Sequence, residues 1–157
     1  QKESASLFRS YATRRRAMRS RRTLVAAVDT NVLIRLLVAD HEDQARHARA
    51  FLRTHGLAWV SLVVVTEVTW VLASAYGFDR RGIATAIESL LSLSVVELEE
   101  PEVVASALDA FRSSTADFGD CLILACARRA NRLPLATFDA ELGRVDGARR
   151  LGAKRRK

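Results

Sequence analysis

Between Lys2 and Lys154 the chain contains no lysine. This excludes a Schiff-base lysine, a phosphate-loop lysine and the lysine of a phospho-acceptor pocket from the body of the protein. Histidine is nearly as scarce: His41, His47 and His55 all fall in one charged segment with helical spacing, where they are expected to face solvent. The two cysteines, Cys121 and Cys126, are five residues apart. In a helix that spacing points their side chains in different directions, so no disulfide is expected between them, and buried thiols fit a reducing cytosol. No internal repeat and no long Gly/Ser/Pro linker is present. Long apolar runs are missing too. The run ending at Asp29 is too short for a signal-peptide core, and a span over 57–75 would place Glu67 near mid-bilayer, at high cost. No membrane association is expected, and a cytoplasmic location is.

What is present is unevenly charged. The net charge is +7, yet residues 1–22 hold eight basic side chains against one acid, and residues 149–157 hold six against none. The stretch 23–148 has eleven basic residues and seventeen acids, so the body is acidic and the ends carry the positive charge. We therefore divide the chain into a basic leader (1–22), one folded domain (23–151) and a basic tail (152–157). Residues 4–22 are arginine-rich and acid-poor, like a transit peptide in composition. Met18, the only methionine, reads as the natural start, with 1–17 upstream of it. An acidic body that works on nucleic acid needs cations and local arginines to approach it.

Apolar periodicity predicts alternating strands and helices. Leu24–Val28 reads as a fully buried strand, followed by a helix over Thr30–Val38. Glu42–His55 reads as an amphipathic helix with Ala45, Ala48, Phe51 and Leu52 inward, and Leu57–Val60 as a second strand. Ser61 is expected to cap a buried helix, Leu62–Ala75, terminated by Gly77. Helices are expected over Arg80–Leu93, Glu102–Arg112 and Asp117–Ala130, with strands at Val95–Leu98 and Leu135–Thr137. Such alternation implies a parallel sheet in an α/β sandwich, with the site beyond the carboxyl ends of the strands.

The acids at those ends carry the chemistry. Asp29 ends the first apolar run, Glu67 interrupts an apolar helix, Asp120 lies in the first turn of another, and Asp139 follows the fourth strand. A carboxylate in an apolar setting is costly unless its charge is compensated. Each acid has a structural alternative: helix caps for Asp29 and Asp117, a buried ion pair for Glu67, a turn for Asp139. Taken together they suggest a shared metal ion. A histidine-free oxygen donor set suits Mg²⁺ or Mn²⁺ rather than Zn²⁺. Crowded carboxylates repel one another, so without metal at least one is expected to have a raised pKa.

Four segments, Asp29–Leu33, Thr66–Val68, Asp117–Ile123 and Thr137–Asp139, stand in the order and spacing of a PIN domain. More narrowly, the chain resembles the VapC toxins of bacterial and archaeal VapBC toxin–antitoxin systems. Residues Trp70–Gly77 share that likeness, which covers about 24–151. The resemblance implies a PIN-like sandwich with a central parallel sheet of four to five strands flanked by helices. It also implies a Mg²⁺- or Mn²⁺-dependent endoribonuclease cutting structured RNA, such as tRNA or rRNA, to leave a 5′-phosphate and a 3′-hydroxyl. Asp29, Glu67 and Asp120 would be the central metal-binding acids, Asp139 the fourth and Asp117 an acidic neighbour. Thr30, Asn31 and Thr137 would position water or phosphate, and Arg35 would contact RNA or pair with a carboxylate. A homodimer blocked by a VapB-like antitoxin is implied as well. The alternatives are a PIN-like nuclease in RNA maturation or acting on DNA, and a non-catalytic metal-holding RNA-binding domain. A haloacid-dehalogenase pattern requires a second Asp two residues after the first, where Asn31 stands.

Overall fold

A computed structural model describes residues 25–152, which fall into two compact units divided after Pro101. The leader 1–22, Met18 included, and tail residues 153–157 lie outside the described residues.

The first unit runs β1 (Val25–Ala27), α1 (Thr30–Leu37), α2 (Glu42–His55), β2 (Leu57–Val60), α3 (Leu62–Ser74), α4 (Arg80–Ser92) and β3 (Val96–Leu98). The strands form a parallel sheet in the order β1-β2-β3. Val25, Ala26 and Ala27 lie opposite Leu57, Ala58 and Trp59, and Ala58, Trp59 and Val60 opposite Val96, Glu97 and Leu98. Parallel neighbours need long crossovers, which the helices supply. β2 is central and buries Leu57, Ala58 and Val60. β1 is not fully buried as expected: Val25 is 49% exposed, because an edge strand pairs on one side only.

The helices follow the predicted periods with two corrections. α2 buries Ala45, Ala48 and Leu52, but Phe51, expected to face inward, is 38% exposed. α3 is not buried all round. Val65, Val68, Thr69 and Leu72 form its inner stripe, whereas Val63 and Trp70 are 74% and 68% exposed. Val63, Glu67 and Trp70 recur at i, i+4 and i+7, so the helical period puts them on one shared face. Ser61 caps this helix as expected, its Oγ accepting from the Val64 N–H at 3.3 Å. After it, Gly77 adopts φ +66°, a left-handed conformation open to glycine at little cost, and the Phe78 N–H returns to the Leu72 carbonyl.

The second unit takes in α5 (Pro101–Ser113) after its first residue, then α6 (Phe118–Arg129), β4 (Leu135–Thr137), a 3₁₀ turn (Leu142–Arg144) and β5 (Ala148–Arg150). Its buried residues include Val104, Leu108, Phe111, Phe118, Leu122, Leu124 and Leu142. The rings of Phe111 and Phe118 meet edge to face with centroids 5.8 Å apart, a favoured aromatic geometry. Cys121 is buried and Cys126 half-buried, with no disulfide between them. β4 and β5 pair in parallel, Leu135 to Thr137 opposite Ala148 to Arg150.

The α/β class with parallel strands is the one expected. Among the described residues the parallel strands fall into a three-stranded sheet in the first unit and a two-stranded sheet in the second, compatible with the expected PIN-like sandwich. Sequence patterning passed over β5, because Ala148-Arg149-Arg150 lacks the apolar content that marks a strand. Among the described residues no helix is long and apolar enough to cross a membrane.

Candidate functional site

In the first unit the carboxyl end of β1 leads through Val28 to Asp29, the N-cap of α1, whose Oδ1 accepts the Val32 N–H at 3.0 Å. Thr30 is buried, and its Oγ1 donates to Oε2 of Glu67 at 2.5 Å. This bond ties the α3 acid to the residue next to Asp29. Glu67 itself is exposed, which corrects the expectation of a buried carboxylate: it lies on the same face of α3 as the exposed Val63 and Trp70. Asn31 is exposed in the first turn of α1.

Arg35 takes the second of the two roles open to it. Its guanidinium donates to both oxygens of Asp40 at 2.7 and 2.8 Å, to the Tyr76 hydroxyl at 3.0 Å and to Gln44 Oε1 at 2.5 Å. Tyr76 in turn donates to Asp40 at 2.6 Å. The Tyr76 hydroxyl, and after it Asp40, holds Arg35 above its ordinary pKa. The same hydroxyl and Arg35 hold Asp40 below the usual carboxylate range, outweighing the desolvation that opposes them. At the end of β3, Glu99 Oε2 accepts the Leu62 N–H at 2.9 Å.

In the second unit three aspartates are neighbours. Asp117 caps α6 and its Oδ1 accepts the Asp120 N–H at 2.8 Å. Asp139 Oδ1 accepts the N–H groups of Glu141 and Leu142 at 2.8 and 2.6 Å, and Thr137 Oγ1 accepts the Asp139 N–H at 2.9 Å. Asp120 is half-buried. Its pKa is raised by burial first, then by the charges of Asp117 and Asp139. The crowding expected from the sequence thus adds to burial at Asp120. Glu141, which accepts from the Thr115 hydroxyl, also pairs with Arg144 at 2.8 Å.

The capping role and the ligand role are compatible here. In Asp29, Asp117 and Asp139 the caps occupy Oδ1 and leave the second oxygen of a carboxylate already held in place. Among the described residues no three His, Cys, Asp or Glu side chains form a ready-made metal cage. The donor chemistry nevertheless fits a hard divalent cation: every candidate ligand is a carboxylate, and Asp120 carries the repulsion that a cation relieves.

Sequence reasoning missed the Thr30–Glu67 bond, the Tyr76 hydroxyl that joins the Arg35–Asp40 pair, and Glu99. Only Glu99 had a readable signal, an acid closing an apolar strand as Asp29 does. Thr30 and Glu67, and likewise Asp40 and Tyr76, are far apart in the chain.

A family profile described as PIN domain matches residues 26–148, a span that includes all five candidate acids. PIN domains are generally nucleases, hydrolases that typically use divalent metal ions. A comparison with curated proteins finds no match.

Proposed function

The chain belongs to the PIN domain family, and from that premise we propose that it is a Mg²⁺- or Mn²⁺-dependent endoribonuclease. Its substrate is structured RNA, tRNA or rRNA, and its role is that of the cytoplasmic VapC-type toxin of a type II toxin–antitoxin system, held inactive by a VapB-like antitoxin. Asp29, Glu67, Asp120 and Asp139 are its metal-holding acids, with Asp117 as their acidic neighbour. The single observation that carries this reading is the PIN-domain match over residues 26–148, which takes in all five acids. A carboxylate cluster of this kind, without histidine, is costly as structure and useful as a cation site.

A bound divalent ion would neutralise phosphodiester charge and activate water for hydrolysis. The chain's own residues do the positioning. Thr30 orients the Glu67 carboxylate, backbone N–H groups orient Asp29, Asp117 and Asp139, and Asn31 and Thr137 lie beside these acids to hold phosphate or water. Arg35, engaged by Asp40 and Tyr76, is held on the α1 surface beside Asp29, where it can meet an RNA phosphate. The exposed Val63 and Trp70 support the homodimer that the reading includes, since solvent-facing apolar side chains of this size favour association.

Purified protein incubated with a tRNA transcript is the test. Mn²⁺ or Mg²⁺ should support cleavage, EDTA should stop it, and Asp29→Asn or Asp120→Asn should abolish it. Cleavage that persists in these variants with EDTA present sinks the proposal.

A further inference from the structure

A cavity of about 650 Å³ opens between α1 and α2 directly beside Asp29. Its volume falls within the range of roughly 300–1,000 Å³ typical of small-ligand sites. Of the residues argued above, Asp29, Asn31 and Arg35 border it, while its α2 wall has no role in that chemistry. Asp29 and Asn31 stand on the α1 side, Gln44, His47 and Phe51 on the α2 side. With Val32, Arg35 and Ala48 completing it, the lining offers one aromatic face, an amide from each helix, an imidazole and a guanidinium, next to an acid of the candidate metal set. Phe51 is 38% exposed, and its ring is backed by His55, stacked with centroids 4.0 Å apart and planes 23° from parallel. His55 is anchored in turn, its Nδ1 lying 3.0 Å from the Phe51 carbonyl oxygen. Gln44 is steadied from the other side by the Arg35 Nε–H on its Oε1.

We propose that this cavity is a nucleobase subsite, holding an unpaired base of the RNA next to the bond to be cut. Sequence-selective RNA recognition works on splayed bases, which stack on aromatic side chains and hydrogen-bond along their edges. Phe51 supplies the stacking face. The carboxamides of Asn31 and Gln44 and the His47 imidazole offer donors and acceptors to a base edge. A base seated there puts its own phosphate near Asp29. Base selection by this protein is thus set by α1 and α2, apart from the acids that perform the hydrolysis. The proposal rests on the nuclease reading for the cut itself, and on the cavity alone for the base.

Phe51→Leu keeps apolar bulk and removes the π face; Phe51→Trp keeps the face. Both should melt within a few degrees of wild type, because Phe51 is partly exposed. Two readouts are taken on the full chain: anisotropy of a labelled single-stranded RNA 12-mer in EDTA, and the ends produced from the same RNA with Mn²⁺. Stacking of one base predicts about tenfold weaker binding for Phe51→Leu, wild-type binding for Phe51→Trp, and a base preference at the cut that Phe51→Leu loses. RNA affinity and cut pattern unchanged in Phe51→Leu overturn the subsite while leaving the nuclease intact. Binding that depends on Phe51 with no cleavage by wild type keeps the subsite and overturns the nuclease. Neither binding nor cleavage overturns both. If Phe51→Leu weakens only the binding of blocked arginine tripeptides, the cavity serves a protein partner and the base proposal falls.

Discussion

Thr30 does more than begin a helix. A buried hydroxyl must spend its hydrogen bond, and here it spends it on Glu67, so one methyl-for-hydroxyl exchange separates packing from positioning. Thr30→Val should cost about 1 kcal/mol of stability, discounted because the freed Glu67 is solvated. It should lower kcat by about tenfold with little change in KM, as expected for a misplaced functional group, while Thr30→Ser restores both. A Thr30→Val enzyme of wild-type kcat would show that the bond is only structural. Asp120 makes the complementary case. Its folded pKa lies above its unfolded value, so the stability linked to it is fully present below the unfolded pKa and is lost as pH rises through the folded pKa. In EDTA at neutral pH, Asp120→Asn should melt slightly higher than wild type, and the gain should vanish as pH falls below the ordinary carboxylate range. Mn²⁺ should stabilise wild type more than the variant, because an ion bound only to the folded state raises stability by mass action. Melting curves across pH and Mn²⁺ check both; a variant no more stable without metal would mean that the crowding is relieved by other means.

At the level of elements, two glycines set limits of different kinds. Gly77 faces open space, with nothing within 4 Å of an added Cβ, but has φ +66°. Gly77→Ala should therefore cost about 1 kcal/mol from backbone strain alone. In the 3₁₀ turn, an added Cβ at Gly143 would lie 2.7 Å from the Arg150 Cβ. The contact is with the root of that side chain, so β5 itself must give way. Gly143→Ala should cost about 1–3 kcal/mol and disturb the turn that Asp139 caps, reducing cleavage as well as stability. Denaturant unfolding of both variants decides the matter; a neutral Gly143→Ala would show that β5 shifts freely. The clasp of Arg35, Asp40 and Tyr76 acts between elements, joining α1 to the end of α3. Asp40 has a lowered pKa, so its contribution is present above the unfolded pKa and is lost as pH falls through the folded one.

For the whole molecule the open questions are association and charge. On α3 Trp70 is 68% exposed, a large apolar side chain open to association beyond the Glu67 site. Trp70→Glu should shift the protein from dimer to monomer in light scattering at micromolar concentration, without unfolding it, because the inner stripe Val65, Val68 and Leu72 is untouched. A wild type that is already monomeric would refute the dimer. The opposite charges of body and ends bear on the proposed RNA substrate: if the basic ends neutralise phosphates, removing them should flatten the salt dependence of RNA binding.

Residues with near neighbours in the chain were legible from sequence alone. Ser61 and Asp117 as caps, Leu57–Val60 and Leu135–Thr137 as strands, and Glu42–His55 as a helix all follow from short-range patterns of apolar spacing and N-cap chemistry. The acids were legible for the same reason, since a carboxylate set against an apolar run stands out wherever the chain goes. What the tertiary structure decided were long-range choices: the exposure of Glu67, Trp70 and Phe51, the Thr30–Glu67 bond, the pairing of Arg35 with Asp40 and Tyr76, and a β5 strand written in arginines. The physical reason is that periodicity says which residues share a face, whereas burial and partnership depend on what the rest of the chain brings against that face.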